Sequence, residues 1–192
     1  MKKYALIGIA LSLAVLLGIA LFLRSGPPPR DSKLPPGTDF VLQSADGPVD
    51  SKALRGKVLL IYFGYTHCPD VCPASLAAGG QAMNALSPAE QARVKMFMVS
   101  VDPERDTLQH LKEYTSFFHP QLAGITGTPA QIADLAKAFG AGYIKQAPKA
   151  DGSYAVDHTV STYVVDGEGR LVAVLDLGTP TDKLVSTVRK YL

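Results

Sequence analysis

The chain has 192 residues, with 47% hydrophobic and 19% charged, enough apolar material for a core and too much for wholesale disorder. Nineteen Lys and Arg face seventeen Asp and Glu, a formal net charge of +2 that gives no nucleic-acid footprint. Two cysteines exclude a disulfide-rich scaffold and any site built from four thiolates.

The mean hydropathy of +0.13 has a local cause. Tyr4–Leu23 carries no charge, and only Tyr4 and Ser12 in it are polar. Twenty residues at about 1.5 Å each span about 30 Å, the hydrocarbon thickness of a bilayer. A cleavable signal would have a shorter apolar run ending in a small-x-small site, and the run instead continues through Phe22-Leu23-Arg24. A lipoprotein signal would need a cysteine here, and none is present. Residues 1–24 are therefore expected to be an uncleaved single-pass anchor. The flanking charges do not decide its orientation. The short N-terminal flank and long C-terminal body favour an exported body, whose cysteines would meet an oxidising compartment. Residues 25–37 hold five prolines and read as an extended tether, up to roughly 40 Å long. Residues 38–192 are expected to form one domain.

Within that domain, Phe40-Val41-Leu42 and the Asp46-Gly47 pair suggest a short hairpin. Val58–Phe63 (VLLIYF) is a continuous apolar run, the mark of a strand buried on both faces. A small-residue helix is expected from Cys72 to about Leu86, weakened by Gly79 and Gly80. Ser87-Pro88 starts a helical turn, and Val94–Val101 is the next buried strand. Thr107 can cap a helix to about Phe118, followed by a short strand at Leu122–Ile125. Thr128-Pro129 opens a helix that Gly140 stops. Tyr143–Gln146 and Tyr154–Asp157 read as extended arms around Asp151-Gly152. Thr159–Val165 and Leu171–Asp176 form a hairpin, and Thr181–Leu192 a terminal helix. This order predicts an α/β fold of the thioredoxin-like kind, a central mixed sheet flanked by helices. A flavodoxin-like open sheet is the competitor, and it would not end in a hairpin.

Cys68 and Cys72 sit where the first buried strand gives way to a helix. Four apart on a helical turn, their Cα atoms would lie about 6 Å apart, within the disulfide range of about 4.4–6.8 Å and close enough to share a metal. Pro73 lacks an N–H, so the helix should begin near Asp70. Its free N–H groups would then depress the thiol pKa values. A plain disulfide staple closing so short a loop would contribute on the order of 2 kcal/mol. Thiol–disulfide exchange, structural zinc and copper remain as readings of the pair.

The histidines bear on that choice. His67 adjoins Cys68, and neighbouring side chains tend to point apart; His110 reads as solvated and His119 as structural. His158 lies 86 residues past Cys72, where the chain enters the strand Thr159–Val165. In a thioredoxin-like fold that stretch packs beside the cysteine turn. Thiol oxidoreductases of this fold place a cis-proline there, and this chain offers Asp157-His158-Thr159. His158 is thus a candidate metal ligand.

Taken together, Gly64-Tyr65-Thr66-His67-Cys68-Pro69-Asp70-Val71-Cys72-Pro73, Ser100-Val101-Asp102-Pro103-Glu104-Arg105-Asp106-Thr107, Ile125-Thr126-Gly127-Thr128 and Val156-Asp157-His158-Thr159 resemble the Sco/SenC family from about residue 37 onward. The resemblance implies a membrane-tethered copper protein that helps assemble the binuclear copper centre of cytochrome c oxidase subunit II. It implies Cys68, Cys72 and His158 as metal ligands and copper, Cu(I) or Cu(II), as the metal. It places the body in the bacterial periplasm, with a copper donor or thiol reductant as further partners. Leu108 departs from the family's frequent proline, away from the metal ligands. Asp102 is expected to orient a ligand or hold its loop. The leading expectation is a delivery protein rather than an enzyme. The alternatives are a thiol–disulfide oxidoreductase acting on the oxidase cysteines, and a redox or copper sensor. Residues 1–33 carry +4 and residues 34–192 carry −2, so the basicity belongs to the anchor and its flanks.

Overall fold

The computed structural model describes residues 33–192. The expected anchor and most of the proline-rich tether lie outside them. No helix among the described residues is long and apolar enough to cross a membrane. The end of the tether is seated on the domain: the Gly37 N–H donates to the Ala138 carbonyl at 2.9 Å.

A hairpin of β1 (Val41–Ser44) and β2 (Gly47–Asp50) opens the domain. Gly47 has φ +112°, which the Asp46-Gly47 pair anticipates. The central sheet is built from β3 (Val58–Gly64), β4 (Val94–Ser100), β5 (Leu122–Ile125), β8 (Thr162–Val165) and β9 (Leu171–Leu175). Its order is β5-β4-β3-β8-β9. The first three strands are parallel, and β8 and β9 are antiparallel to their neighbours. The sheet is thus mixed and thioredoxin-like, and the closing hairpin removes the flavodoxin alternative. All seven residues of β3 are buried, as its unbroken apolar run requires.

Helices cover both faces. α1 (Val71–Asn84) and α3 (Leu108–Ser116) lie on the face that carries Tyr62, Met96 and Met98. α4 (Pro129–Phe139) lies on the opposite face, where Phe139 packs against Phe63 and Tyr163. Its buried residues Ile132, Leu135, Ala136 and Phe139 follow helical spacing. Thr128 and Gln131 form a capping box, and Gly140 closes the helix at φ +69°. α5 (Thr181–Tyr191) completes the α1 side, with Arg189 bonded to Glu90 of the short helix α2 (Pro88–Gln91).

The helix expected from Cys72 to about Leu86 is present, and α1 runs unbroken through Gly79 and Gly80 to Asn84. A Cβ on Gly79 would sit 2.5 Å or less from the Met96 thioether, and one on Gly80 2.6 Å from the Phe118 carbonyl oxygen. The glycines let the helix press onto its neighbours, and that packing outweighs their poor propensity. The arms at 143–158 are a real hairpin, β6 (Tyr143–Lys145) paired with β7 (Val156–His158). His158 therefore ends a strand of its own opposite Tyr143, and β8 begins only at Thr162. The Thr159 N–H donates to the Gly142 carbonyl, and the Gly142 N–H to Thr159 Oγ1, each at 2.9 Å.

Candidate metal centre

β3 delivers the chain to the site, and the turn at residues 65–70 reverses it into α1. Cys68 lies in that turn, before the helix, and Cys72 in the first helical turn. The pair is therefore not carried on one helical turn as its spacing suggested. Asp106 holds the turn in place. Its buried carboxylate accepts from the Thr66 N–H (3.1 Å), the Thr66 hydroxyl (2.6 Å) and the Ser100 hydroxyl (2.6 Å). Such an array of donors to one ionisable oxygen pair is strong and directional.

The hairpin β6–β7 brings His158 across. His158 Nε2 lies 3.3 Å from Cys72 Sγ. Its Nδ1 lies 3.0 Å from the Thr159 carbonyl oxygen, which only accepts, so Nδ1 carries the proton. Nε2 is left with its lone pair toward the sulfurs. Tyr62 and Tyr65 stand edge-on to the imidazole, with ring centroids at 6.0 and 5.7 Å. The Tyr65 hydroxyl accepts from the Val156 N–H, tying β7 to the turn.

Cys68, Cys72 and His158 each offer a ligand atom, and these atoms all lie within 4.8 Å of one another. Both cysteines are free thiols, with Cys72 fully buried and Cys68 at 9% exposure. Cys68 and His158 line an open cleft of about 310 Å³, together with Tyr65, Asp70, Val156 and Asp157 among others. A slightly larger groove along α1 and β9 touches none of the three.

The expected depression of the thiol pKa does not hold for Cys72. Burial pushes its thiol up to about 12, the nearby Cys68 adds to the rise, and the Tyr65 backbone N–H opposes it only in part. A helix N-terminus aids a thiolate, but loss of water costs the anion more. Burial also raises the phenol of Tyr62, which stays protonated and donates toward Cys72 Sγ at 3.8 Å.

The other histidines fall where their contexts suggested. His119 is buried and accepts the Gln121 N–H on Nδ1 at 3.1 Å; burial lowers its pKa. His67 Nδ1 lies toward Thr66 and Asp106, and His110 is exposed on α3. Asp102 holds the loop. Its carboxylate accepts from Arg105 Nε and from the Tyr154 hydroxyl. Arg105 in turn donates to the Tyr154 carbonyl and stacks 3.5 Å from that ring's centroid. This clamp fixes the strand that carries His158. The positioning roles of Tyr62, Tyr65, Arg105, Asp106 and Tyr154 are absent from the sequence reading. Tyr65, Arg105 and Asp106 stand inside the motifs that carry the family resemblance, Tyr62 lies in the buried run Val58–Phe63, and Tyr154 in an extended arm.

The model of the family described as SCO1/SenC matches residues 29–192. The chain belongs to the SCO1/SenC family. Arabidopsis thaliana Protein SCO1 homolog 1, mitochondrial, is 37% identical over 85% of this chain and 50% of its own length. The SCO2-like protein RC0895 of Rickettsia conorii is 34% identical over 80% of this chain and 75% of its own. The chain spans about half the length of several of the curated relatives it matches. Among solved structures, apo Sco1 from Thermus thermophilus is 40% identical with a TM-score of 0.76, over 85% of this chain and 95% of its own. Bradyrhizobium japonicum ScoI with copper bound is 39% identical with a TM-score of 0.74, over 81% and 99%. The likeness to these two solved structures extends over 85% and 81% of the chain.

Proposed function

We propose that this SCO1/SenC protein is a copper carrier that holds one copper ion through Cys68, Cys72 and His158. The observation that carries this reading is the convergence of two thiol sulfurs and one imidazole nitrogen within 4.8 Å. Soft thiolates with an imidazole suit Cu(I), and three protein donors beside an open cleft leave room for an incoming ligand. The recipient is the binuclear copper centre of cytochrome c oxidase subunit II. The copper passes by ligand exchange, the partner's donors replacing His158 and the thiolates in turn. Tyr4–Leu23 anchors the chain in the bacterial inner membrane, and residues 25–37 hold the domain on the periplasmic side. What supports the reading is the copper borne by the Bradyrhizobium relative.

The test is transfer from the loaded chain to copper-free subunit II with its cysteines reduced. The recipient fills when offered the natural chain and stays empty with the His158→Ala chain. Equal filling from both would overturn the proposal.

The proximity of the two thiols favours a second reading, thiol–disulfide exchange with the same partner. A relative 25% identical is described through a disulfide switch in BsSco, a member of the Sco family of cytochrome c oxidase assembly proteins. Here Cys68 and Cys72 give two electrons and two protons to a partner disulfide and become a disulfide themselves. Reduction by the metal-free chain that survives His158→Ala and fails with Cys72→Ala would favour this role.

A further inference from the structure

His67 and His110 have no part in the centre described above, yet the fold sets their rings side by side. His67 belongs to the turn after β3 and His110 to the first turn of α3. Their ring centroids lie 6.1 Å apart, and both residues are exposed.

The tautomer of His67 is fixed by its neighbours. The Thr66 hydroxyl has one proton and gives it to Asp106 Oδ1 at 2.6 Å. Thr66 Oγ1 can therefore only accept from His67 Nδ1, 3.1 Å away. The Nδ1 proton is thus spent inward, and Nε2 keeps its lone pair toward solvent. A buried carboxylate behind an oriented imidazole is the outer support that metal-binding histidines use, here relayed through one hydroxyl. The His110 ring has no hydrogen-bond partner among the described residues.

Separation decides whether the rings can share an ion. With a metal–nitrogen bond of about 2.0–2.1 Å, each ring centre sits roughly 3.2 Å from the metal. Two rings on one ion then have centroids between about 4.5 Å at a right angle and about 6.4 Å when opposed. The observed 6.1 Å falls inside that span. With His67 held by Thr66, the exposed His110 side chain is the one that turns to aim its nitrogen.

We propose that His67 and His110 form a second metal site, exposed and built from two imidazole nitrogens, that takes one divalent transition ion. Its donors are nitrogen without sulfur, so it suits Cu(II), Ni(II) or Zn(II) rather than Cu(I). Water fills the remaining positions, so binding is weaker and faster to exchange than at the thiols.

The test is a Cu(II) titration of the full chain carrying Cys68→Ser and Cys72→Ser, read by electron paramagnetic resonance. One Cu(II) with a two-nitrogen signature is expected. His110→Ala in that background should weaken it at least tenfold, and His158→Ala should leave it unchanged. Binding indifferent to His110→Ala would overturn the proposal, as would a chain that takes no Cu(II). If the serine chain does not fold, Zn(II) is added to the natural chain and the histidine ring protons are followed. His67 and His110 should then shift together, and failure to do so contradicts the site. Cu(I) binding by the natural chain with His110→Ala is expected to be unchanged, which separates this site from the three-ligand centre.

Discussion

His158 Nε2 lies 3.3 Å from Cys72 Sγ, although 86 positions separate the two residues in the chain. Neither is aimed by its own strand or helix alone. The Thr159 carbonyl fixes the imidazole tautomer, the phenol of Tyr65 ties β7 to the cysteine turn, and Gly64 makes room for the sulfur. The centre is assembled from a turn, a helix start and a strand end, and its stability depends on the groups that hold them together.

Asp106 is the first such group. Asp106→Ala leaves Thr66 and Ser100 without their shared acceptor, and the buried Ser100 hydroxyl cannot turn to water. A loss of roughly 2–4 kcal/mol in urea unfolding is expected. Copper affinity should fall roughly 10–100-fold, the usual effect of removing an outer partner. An unchanged affinity in the folded variant would show that the turn keeps its shape unaided.

Gly64→Ala tests the fit of the sulfur directly. Its Cβ would stand 2.8 Å from Cys72 Sγ and 2.8 Å from the Tyr62 ring. Either the sulfur or the ring must move, and overpacking of this kind costs about 1–3 kcal/mol. Copper competition assays should show a weaker site, whereas Gly56→Ala, with open space around its Cβ position but φ +84°, should affect stability alone.

The Cys72 thiol, pushed up to about 12, is protonated throughout the neutral range. Copper must displace that proton, so apparent affinity should rise by about tenfold per pH unit from this group. Calorimetry in buffers of different ionisation heat should report at least one proton released per copper. Affinity that is flat from pH 6 to pH 8 would contradict a protonated Cys72.

Much of this fold is legible in the sequence, because its signals are local. The run Val58–Phe63 demands burial on both faces, and Thr128-Pro129 with Gly140 marks both ends of α4. The three proposed metal ligands also stand out, since cysteines and a strand-end histidine carry chemistry in their residue type. The rest depends on distant partners. Gly79 looks only like a weak point of its helix until Met96 is found against it. Cys72 looks activated by its helix until its complete burial is known. Tyr62 reads as core and Tyr65 only as part of a motif, and the approach of β7 turns them into a bracket for His158.

His119 gives a pH prediction away from the metal. Burial lowers its pKa below the usual 6.5, and its neutral Nδ1 accepts the Gln121 N–H. A group with a lowered folded pKa gives stability that is whole above the unfolded value and lost as pH falls through the folded one. Stability should therefore decline below about pH 6.5. His119→Asn keeps an acceptor without the titration, and its unfolding free energy should fall less steeply between pH 6.5 and 4.5.

X-ray absorption at the copper edge of the Cu(I)-loaded chain tests the central claim most directly. One copper per chain is predicted, with two sulfur neighbours and one nitrogen, and the nitrogen contribution should vanish in His158→Ala. A copper bound by sulfur alone in the natural chain, or a nitrogen signal that survives His158→Ala, would contradict the three-ligand centre.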